Sequence, residues 1–368
     1  MANNLITTQQ IWIDKSNLSK TKVVELEINS EQLKAGEVLV KIESFGFSAN
    51  NITYALLGDK MGYWGFFSAE SGWGIVPVWG FATVVKSNAE GIVADERVFG
   101  YLPMASYWVI CANKVSRTGF FDSHSQRKSI APVYDNYLRC ANDPGYDANK
   151  EALQMNIRPL FMTAFVLDDF VAEHTDSGVQ SIVLTSASSK TAYGTAHLLT
   201  KHKEKRGQSY RVIGLTSALN KTFTEQLGCY DQVVCYADIQ QLDVNQGAWI
   251  LDFAGNKKLL LELQSYYADK LLRMMFIGAT DVQAQTDKAE GQLVGEVFFA
   301  PAQVKKRIHE WGQEQFSTQY AQAWQSFSHL IEANVVVAEY LGVKDIQAIY
   351  QQGLAGELSI HNINVIKF

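Results

Sequence analysis

The chain has 368 residues, of which 47% are hydrophobic and 19% are charged, and its formal net charge is −6 at pH 7. This length and apolar content fit about two domains with sizeable cores, and the acidic balance argues against a general nucleic-acid-binding protein. No apolar run reaches the roughly 18 residues that a membrane-spanning helix needs.

The N-terminus and the cysteines indicate the compartment. The first ten residues lack the basic and apolar regions of a signal peptide. Four cysteines are scattered along the chain without C-x-x-C spacing, which is typical of reduced thiols in the cytosol. We therefore expect a cytoplasmic protein that has neither a membrane nor a nucleic acid as its partner.

The N-terminal part of the chain is predicted to be rich in β-strands. Residues 8–45 contain alternating patterns and the β-branched run Gly36-Glu-Val-Leu-Val-Lys-Ile. A short helix is predicted within residues 46–58, and a strand over residues 76–85 contains Gly80, which indicates a bulge or a close backbone approach. About six short strands with glycine turns favour a small barrel-like unit.

Residues 117–150 are polar and irregular but contain several aromatic residues. A loop of this length is uncommon in a compact domain and is usually either functional or disordered. The aromatic residues argue against simple disorder. We therefore expect an ordered insert with a functional role.

After a helical segment that starts at residue 151, strands and helices alternate. Strands are predicted at 181–186, 210–216, 232–236, 248–255 and 271–278. Such alternation implies a parallel sheet with right-handed crossovers. A helix near residues 303–333 and further strands at 295–300 and 360–368 complete the chain.

The turn after the first of these strands lies where Rossmann folds bind the pyrophosphate of a dinucleotide, with the fingerprint G-x-G-x-x-G/A. The matching frame is Ala187-x-Ser189-x-x-Ala192, so no glycine fills the three positions. The Ser189 side chain should push the phosphates outward, whereas nearby hydroxyl donors and the charge of Lys190 could compensate. The alternative is a small-residue turn that only caps a helix, with Ser188 or Ser189 as N-cap. The candidate cofactor-binding residues here are Ser186, Ala187, Ser188, Ser189, Lys190 and Thr191.

The end of the second strand bears on the choice of cofactor. NAD-binding units place an acidic residue there for the ribose hydroxyls, whereas a basic residue suits the additional phosphate of NADP. The run Gly214-Leu-Thr-Ser-Ala-Leu-Asn-Lys221 contains no acidic residue. Thr216, Ser217 and Lys221 are therefore candidate ligands, and we favour NADP over NAD. An ordinary capped helix with a solvated lysine is the alternative.

The order of a β-rich unit, a Rossmann unit and a short return segment resembles the medium-chain dehydrogenase/reductase superfamily, in particular its zinc-independent quinone oxidoreductase-like branch. Tyr134-x-x-Tyr-Leu-Arg139 and the serine-rich turn also resemble an uncharacterised bacterial family of unknown function within it. The stretches that carry the resemblance are Gly36-Glu-Val-Leu-Val-Lys-Ile, Val78-Trp-Gly-Phe-Ala-Thr-Val-Val, Asp95-Glu-Arg-Val-Phe-Gly, Met162-Thr-Ala, residues 181–199, Leu227-Gly-Cys-Tyr-Asp-Gln-Val-Val, Leu251-Asp-Phe-Ala-Gly and Phe276-Ile-Gly-Ala-Thr.

The resemblance implies an α/β fold with two domains. Residues 1–155 and 301–368 would form a GroES-like β-rich catalytic domain, and residues 156–300 a Rossmann dinucleotide-binding domain with a doubly wound parallel sheet. It also implies a homodimer and direct hydride transfer in a cleft between the domains. We hypothesise that the 117–150 insert covers or borders this cleft.

The resemblance also assigns candidate site residues. Asn50 and Tyr54 match the cleft segment, and Thr163 and Gly278 match positions beside the cofactor. Tyr54 could give a proton to a reduced substrate, or it could simply pack a helix against the barrel. The aromatic residues near this segment suggest an apolar pocket, although each could equally be core; they are Phe45, Phe47, Tyr63, Trp64, Phe66 and Phe67.

A zinc site is not expected. Zinc-dependent members of the superfamily need nitrogen and sulfur ligands, and the matching early segment Phe47-Ser-Ala-Asn50 has no cysteine. The seven histidines show no H-x-x-x-H pairing.

We interpret the sequence as a zinc-independent, NADP-dependent oxidoreductase. It would transfer a hydride to a small-molecule substrate, namely a quinone, an enone or a similar conjugated carbonyl. The alternative is a non-catalytic Rossmann-type scaffold with a degenerate cofactor site that binds a small molecule or a protein partner. A third possibility is an enzyme that uses the same fold for other chemistry through the insert.

Overall fold

The computed structural model describes residues 4–127, 132–253, 255–277 and 292–368. The chain divides into two compact units. Unit 1 comprises Met1–Asn156 and Val335–Phe368, and unit 2 comprises Ile157–Asn334. Within the described ranges, no helix has both the length and the apolar character that crossing a membrane requires.

The helices and strands follow in chain order. The strands are β1 (Leu5–Asp14), β2 (Asn17–Asn29), β3 (Glu37–Phe47), β4 (Trp73–Gly74), β5 (Pro77–Ser87), β6 (Arg97–Pro103), β7 (Tyr107–Asn113), β8 (Gly119–Asp122), β9 (Asn136–Arg139), β10 (Ser181–Leu184), β11 (Arg211–Thr216), β12 (Gln232–Cys235), β13 (Ala248–Asp252), β14 (Leu271–Phe276), β15 (Glu296–Val297), β16 (Val336–Leu341) and β17 (Asn362–Lys367). The helices are α1 (Ala49–Leu56), α2 (Glu151–His174), α3 (Lys190–His202), α4 (Lys221–Gln226), α5 (Lys257–Tyr267), α6 (Ala300–Trp311), α7 (Gln313–Glu332) and α8 (Gly342–Leu354).

Unit 1 is built on two sheets. The described strands form a three-stranded sheet in the order β2-β1-β4 and an eight-stranded sheet in the order β16-β17-β3-β5-β6-β9-β8-β7. Strand β7 also pairs with β3, so part of the larger sheet closes on itself as in a barrel. The inward side chains form a core that includes Val40, Phe45, Val78 and Tyr101. This is the barrel-like unit that the short strands and glycine turns predict.

The 117–150 insert takes part in this closure. Its strands β8 and β9 pair with each other, β8 also pairs with β7, and β9 also pairs with β6. The prediction of an irregular loop was therefore wrong for these two segments. Each strand is only four residues long, which is too short for an alternating pattern to be recognised. Tyr137 of β9 is fully buried, and its hydroxyl donates to the Tyr101 carbonyl at 2.7 Å.

Unit 2 contains a parallel sheet whose described strands lie in the order β12-β11-β10-β13-β14-β15. The chain runs from β10 outward to β12 and then returns to β13 on the other side of β10. Ligands of such sheets bind outside the carboxyl ends of the strands where the order reverses. The predicted α/β fold class, with a β-rich unit and a doubly wound parallel sheet, is confirmed.

The chain returns to unit 1 at Val335, whereas the sequence analysis placed this return at residue 301. Helices α6 and α7 consequently belong to unit 2. One helix was expected near residues 303–333, but Gly312 separates the two helices with a φ of +81°. A side chain is strained in that region, so glycine suits the break. The assignment of a catalytic and a cofactor-binding role to the units stays a prediction.

Gly80 in β5 marks a close approach of two backbones. A Cβ atom added to Gly80 would lie 2.5 Å from the carbonyl oxygen of Ser44. The β3–β5 register shifts between Ile42 and Ser44, so the approach coincides with an irregularity in β3. The sequence-based expectation for this glycine is confirmed.

The first prediction concerns this contact. Gly80→Ala should lower the free energy of unfolding by about 1–3 kcal/mol, because backbone atoms cannot easily make room for the methyl group. Urea denaturation followed by circular dichroism measures the change. Val85→Thr is the control on the same strand, because Val85 is exposed and should shift stability by no more than about 0.5 kcal/mol. An alanine variant as stable as this control would contradict the prediction.

Candidate functional site

The turn between β10 and α3 contains one serine in a backbone conformation that glycine usually adopts. Ser186 has a φ of +49°, in the left-handed region that non-glycine residues adopt only occasionally. Ser189 is the N-cap of α3, and its Oγ accepts the Ala192 amide at 3.4 Å. The N-cap expected at Ser188 or Ser189 is therefore Ser189. A cap of this kind fits both a binding turn and a purely structural turn.

The backbone of the turn is fixed by contacts with neighbouring elements. The Ser186 amide donates to the Tyr236 hydroxyl at 3.1 Å, and the Ala187 amide donates to the Leu215 carbonyl at 2.9 Å. The amides of the first helical turn have no intrahelical acceptor, and the positive end of the helix dipole favours an anion there. The backbone of the turn is therefore held by tertiary contacts, and an anion-binding role for it stays a prediction.

Lys190 is the first residue of α3 and the cation of this turn. The residue is half-buried, and its amine forms no hydrogen bond or ion pair with any residue of the described part of the chain. Desolvation of the amine lowers the pKa of Lys190 to about 8. A bound phosphate would supply the missing negative charge, so this lysine is well suited to an anionic ligand.

The loop after β11 contacts the turn directly. Asn220 donates from its Nδ2 to Ser188 Oγ at 3.1 Å, a contact that the sequence analysis missed although both segments were singled out. Thr216 is buried, and its hydroxyl has no partner among the described residues. Lys221 lies 3.9 Å from Glu225 in an ion pair whose two side chains are both more than a third exposed, and such pairs contribute little. The structure therefore brings the two predicted cofactor segments together.

A buried hydrogen-bonded pair lies where the strand order reverses. Thr185 Oγ1 donates to Asp252 Oδ1 at 2.6 Å and accepts the Phe253 amide at 2.9 Å. Asp252 Oδ2 accepts the Gly255 amide at 3.0 Å. The pair joins the carboxyl ends of β10 and β13 and fixes the start of the loop after β13. The stretch Leu251-Asp-Phe-Ala-Gly pointed to this loop, but it gave no role for the carboxylate.

Two further cofactor candidates were named from the resemblance. Thr163 lies half-buried on α2. Gly278 lies outside the described residues. Both stay predictions.

In unit 1, the candidate catalytic residues Asn50 and Tyr54 lie one turn apart on α1. Asn50 Nδ2 donates to the Tyr54 hydroxyl oxygen at 2.7 Å. Burial raises the pKa of Tyr54 to about 12, so the phenol stays protonated near neutral pH. Because the oxygen accepts from Asn50, this hydrogen bond does not use the phenol proton.

Tyr54 belongs to an aromatic group that we call the tyrosine cluster. Ring centroids of Tyr54 and Tyr63 are 4.6 Å apart, and those of Tyr101 and Tyr134 are 4.8 Å apart. Sequence analysis missed the contributions of Trp79, Tyr101 and Tyr134, because they come from distant strands and the insert. The members are Tyr54, Tyr63, Phe66, Trp79, Tyr101 and Tyr134.

The other aromatic residues near α1 have different neighbours. Phe45 packs against Phe368 and Phe47 against Tyr350. Phe67 contacts Trp108. All three belong to the core, as the alternative interpretation held for each residue; Tyr63 and Phe66 are also buried in this core and in addition join the tyrosine cluster.

Across the described ranges, no group of three or more histidine, cysteine, aspartate or glutamate side chains is arranged to hold a metal ion.

The whole chain matches solved oxidoreductase structures in fold. The 2-enoyl thioester reductase Etr1p/Etr2p heterodimer from Candida tropicalis is 14% identical with a TM-score of 0.59, and the match covers 99% of this chain and 100% of that one. CurA from Vibrio vulnificus, solved with NADPH, is 12% identical with a TM-score of 0.60 and 98% coverage of both chains. The yhdH oxidoreductase from Salmonella enterica, solved with NADP, is 12% identical with a TM-score of 0.53, covering 98% and 99%. At these identities the likeness shows the fold.

The sequence itself identifies a family. No curated protein matches the chain. The family described as "Protein of unknown function (DUF2855)" matches residues 45–359, which agrees with the predicted resemblance to an uncharacterised family, while the quinone oxidoreductase-like branch stays a prediction. The chain therefore belongs to the DUF2855 family.

Proposed function

We propose that this protein is an NADPH-dependent oxidoreductase that reduces a conjugated carbonyl compound such as an enone or a quinone. The observation that carries the proposal is the joined pair of cofactor segments, in which Lys190 has no partner within the described residues and Asn220 links the two turns. The structures of CurA with NADPH and of yhdH with NADP support the choice of cofactor. A cytoplasmic location and a homodimer remain parts of the proposal.

The two turns divide the recognition of the cofactor between them. The start of α3, with the positive end of its dipole and Lys190, suits the pyrophosphate that NADH and NADPH share. The loop from Thr216 to Lys221 lacks a carboxylate and suits the additional phosphate of NADPH. Ser186 already holds the left-handed conformation that a glycine would provide. Ser186 lies outside the frame Ala187-x-Ser189-x-x-Ala192, so the proposal relies on the start of α3 and on Lys190 and not on a substitute for the missing glycines.

The chemistry needs a hydride and a proton. The residues at the start of α3 and in the loop after β11 would hold NADPH, which would supply the hydride for the electron-poor carbon of the conjugated system. Tyr54 donates the proton, and the Asn50 amide stabilises the oxygen of Tyr54 as the proton leaves. Burial keeps this phenol protonated at neutral pH, and the two residues meet at 2.7 Å.

The second prediction tests cofactor binding. NADPH at one hundred times its dissociation constant should raise the free energy of unfolding by roughly 2.7 kcal/mol. This should raise Tm by several degrees, at about 2–4 °C per kcal/mol. NADH should raise it less. Lys221→Ala should weaken NADPH more than NADH, whereas Lys190→Ala should weaken both. Differential scanning fluorimetry gives the shifts, with Lys205→Ala as the control at an exposed lysine of unit 2.

If neither NADPH nor NADH binds at millimolar concentration, the proposed function is wrong. The Ser189 side chain would then be the first suspect, and the non-catalytic scaffold would become the better description.

The third prediction concerns pH. Because the pKa of Lys190 is lowered to about 8, its ammonium form is present below that pH and is lost above it. Affinity for NADPH should therefore be full below pH 8 and fall as pH rises through about 8 to 9. Fluorescence titration of NADPH across this range measures the effect. Lys190→Met should bind weakly with little pH dependence, and an unchanged profile in this variant would exclude Lys190 as the titrating group.

The fourth prediction concerns the proton donor. Tyr54→Phe should lower kcat about 10²- to 10⁴-fold, the usual contribution of general acid catalysis, while the Tm shift with NADPH persists. The wild-type rate should show no loss from phenol ionisation until pH approaches 12. Tyr340→Phe, at a half-buried tyrosine of the same unit, is the matched control. Normal kcat in the Tyr54 variant would remove Tyr54 from the mechanism.

A further inference from the structure

The tyrosine cluster has a buried side and an accessible side. Tyr101 and Phe66 are fully buried, and Tyr54 and Tyr63 are 6% and 7% exposed. Only Trp79 and Tyr134 of the six members are half-buried. The accessible surface of the cluster is therefore formed by an indole and a phenol, whose ring centroids lie 6.2 Å apart.

This accessible surface adjoins the proposed proton donor. Trp79 contacts Tyr101 at a centroid distance of 5.0 Å, and Tyr101 in turn lies 5.6 Å from Tyr54. Burial raises the pKa of Tyr54, and hydrogen bonds from the Trp79 and Asn50 side chains to its hydroxyl lower that pKa to a smaller extent. A molecule that rests on Trp79 and Tyr134 thus lies close to the hydroxyl group that Tyr54 offers.

Tyr134 is held in this place by a buried arginine. Arg127, which is 2% exposed, forms ion pairs with Asp122 at 3.3 Å and with Asp135 at 3.2 Å. Asp135 follows Tyr134 directly in the sequence. Charges are rarely buried unless they are paired, so this network fixes the segment that carries Tyr134.

The same arginine reaches the α1 side of the cluster. Its Nε donates to the Phe66 carbonyl at 3.3 Å. Its guanidinium lies 5.3 Å from the ring centre of Phe66 and 4.8 Å from that of Phe67. Arg127 therefore joins the insert to the aromatic segment after α1.

From these contacts we infer that Tyr134 and Trp79 form a substrate-recognition surface that selects a planar aromatic or quinoid ring conjugated to the reducible bond. Arg127 is the positioning residue for this surface. The inference rests on the proposed function and deepens it by naming the substrate class. A flat aromatic ring that stacks on an aromatic side chain gains stabilisation beyond that of the buried area alone. An alkyl chain gains only the stabilisation from the buried area.

The test compares two ketones with the same reactive group. In 4-phenyl-3-buten-2-one the alkene carries an aromatic ring, and in 3-octen-2-one it carries an alkyl chain. Wild type should favour the aryl compound in kcat/KM, and Tyr134→Leu should reduce that preference about two- to tenfold, mainly through KM. Tyr134→Phe should restore it, because the ring and not the hydroxyl group makes the contact.

Two further variants separate recognition from folding. Tyr146→Leu makes the same change at another half-buried tyrosine of the insert outside the cluster and should leave the aryl-to-alkyl ratio unchanged. Arg127→Lys keeps the charge without the planar fork and should lower the ratio as Tyr134→Leu does. If Tyr134→Leu does not fold, Tyr134→Met serves in its place.

A binding measurement keeps the inference separate from the proposed function. The saturated ketone 4-phenyl-2-butanone should quench tryptophan fluorescence of the protein without any cofactor, and Tyr134→Leu should weaken this binding two- to tenfold. If NADPH does not bind but this difference is observed, the proposed function is wrong and the recognition surface is still supported. Equal effects on aryl and alkyl compounds, or no effect of Tyr134→Leu, would overturn the inference.

Discussion

The hydrogen-bonded pair of Thr185 and Asp252 is the interaction on which the arrangement of unit 2 depends. A parallel sheet leaves a crevice where its strand order reverses, and polar groups at the ends of those strands need partners. The Thr185 hydroxyl satisfies a carboxylate oxygen and a backbone amide together. With both side chains buried, removing either would leave unpaired polar groups that cost about 1–3 kcal/mol each. The pair therefore fixes the strand ends next to the turn between β10 and α3.

The turn itself has no glycine at the three fingerprint positions, and its positive φ lies one residue before the frame Ala187-x-Ser189-x-x-Ala192. Glycine is usual there because the backbone must adopt a positive φ or approach a phosphate closely. Ser186 adopts a φ of +49°; its own amide donates to the Tyr236 hydroxyl, and the next amide, that of Ala187, donates to the Leu215 carbonyl. Surrounding structure can stabilise such a conformation at a cost of about 1–3 kcal/mol. Tertiary contacts therefore hold the turn in a conformation that the glycine frame alone does not predict.

Local sequence patterns predicted the features that depend on neighbouring residues in the chain, such as the apolar strands and the tight turns. The parallel strands of unit 2 are apolar runs with small turns, and Gly80 marks a backbone contact, so both were visible in the sequence. The contacts of Asn220 with Ser188 and of Tyr134 with Tyr101 join segments separated by more than 30 residues. No periodicity encodes such pairs. The candidate residues were thus found one by one, but their grouping required the fold.

The insert contributes two strands to the larger sheet of unit 1 and two residues, Arg127 and Tyr134, to the proposed recognition surface. Strands β8 and β9 complete the barrel by pairing with β6 and β7, so the segment is structural at its ends. Between them the chain contributes the buried charge of Arg127 and the half-buried ring of Tyr134. Burying a paired arginine gains little stability compared with an apolar residue. The contacts of its planar guanidinium with Asp122, Asp135 and the Phe66 carbonyl join two aromatic segments, and the proposed recognition surface depends on that connection.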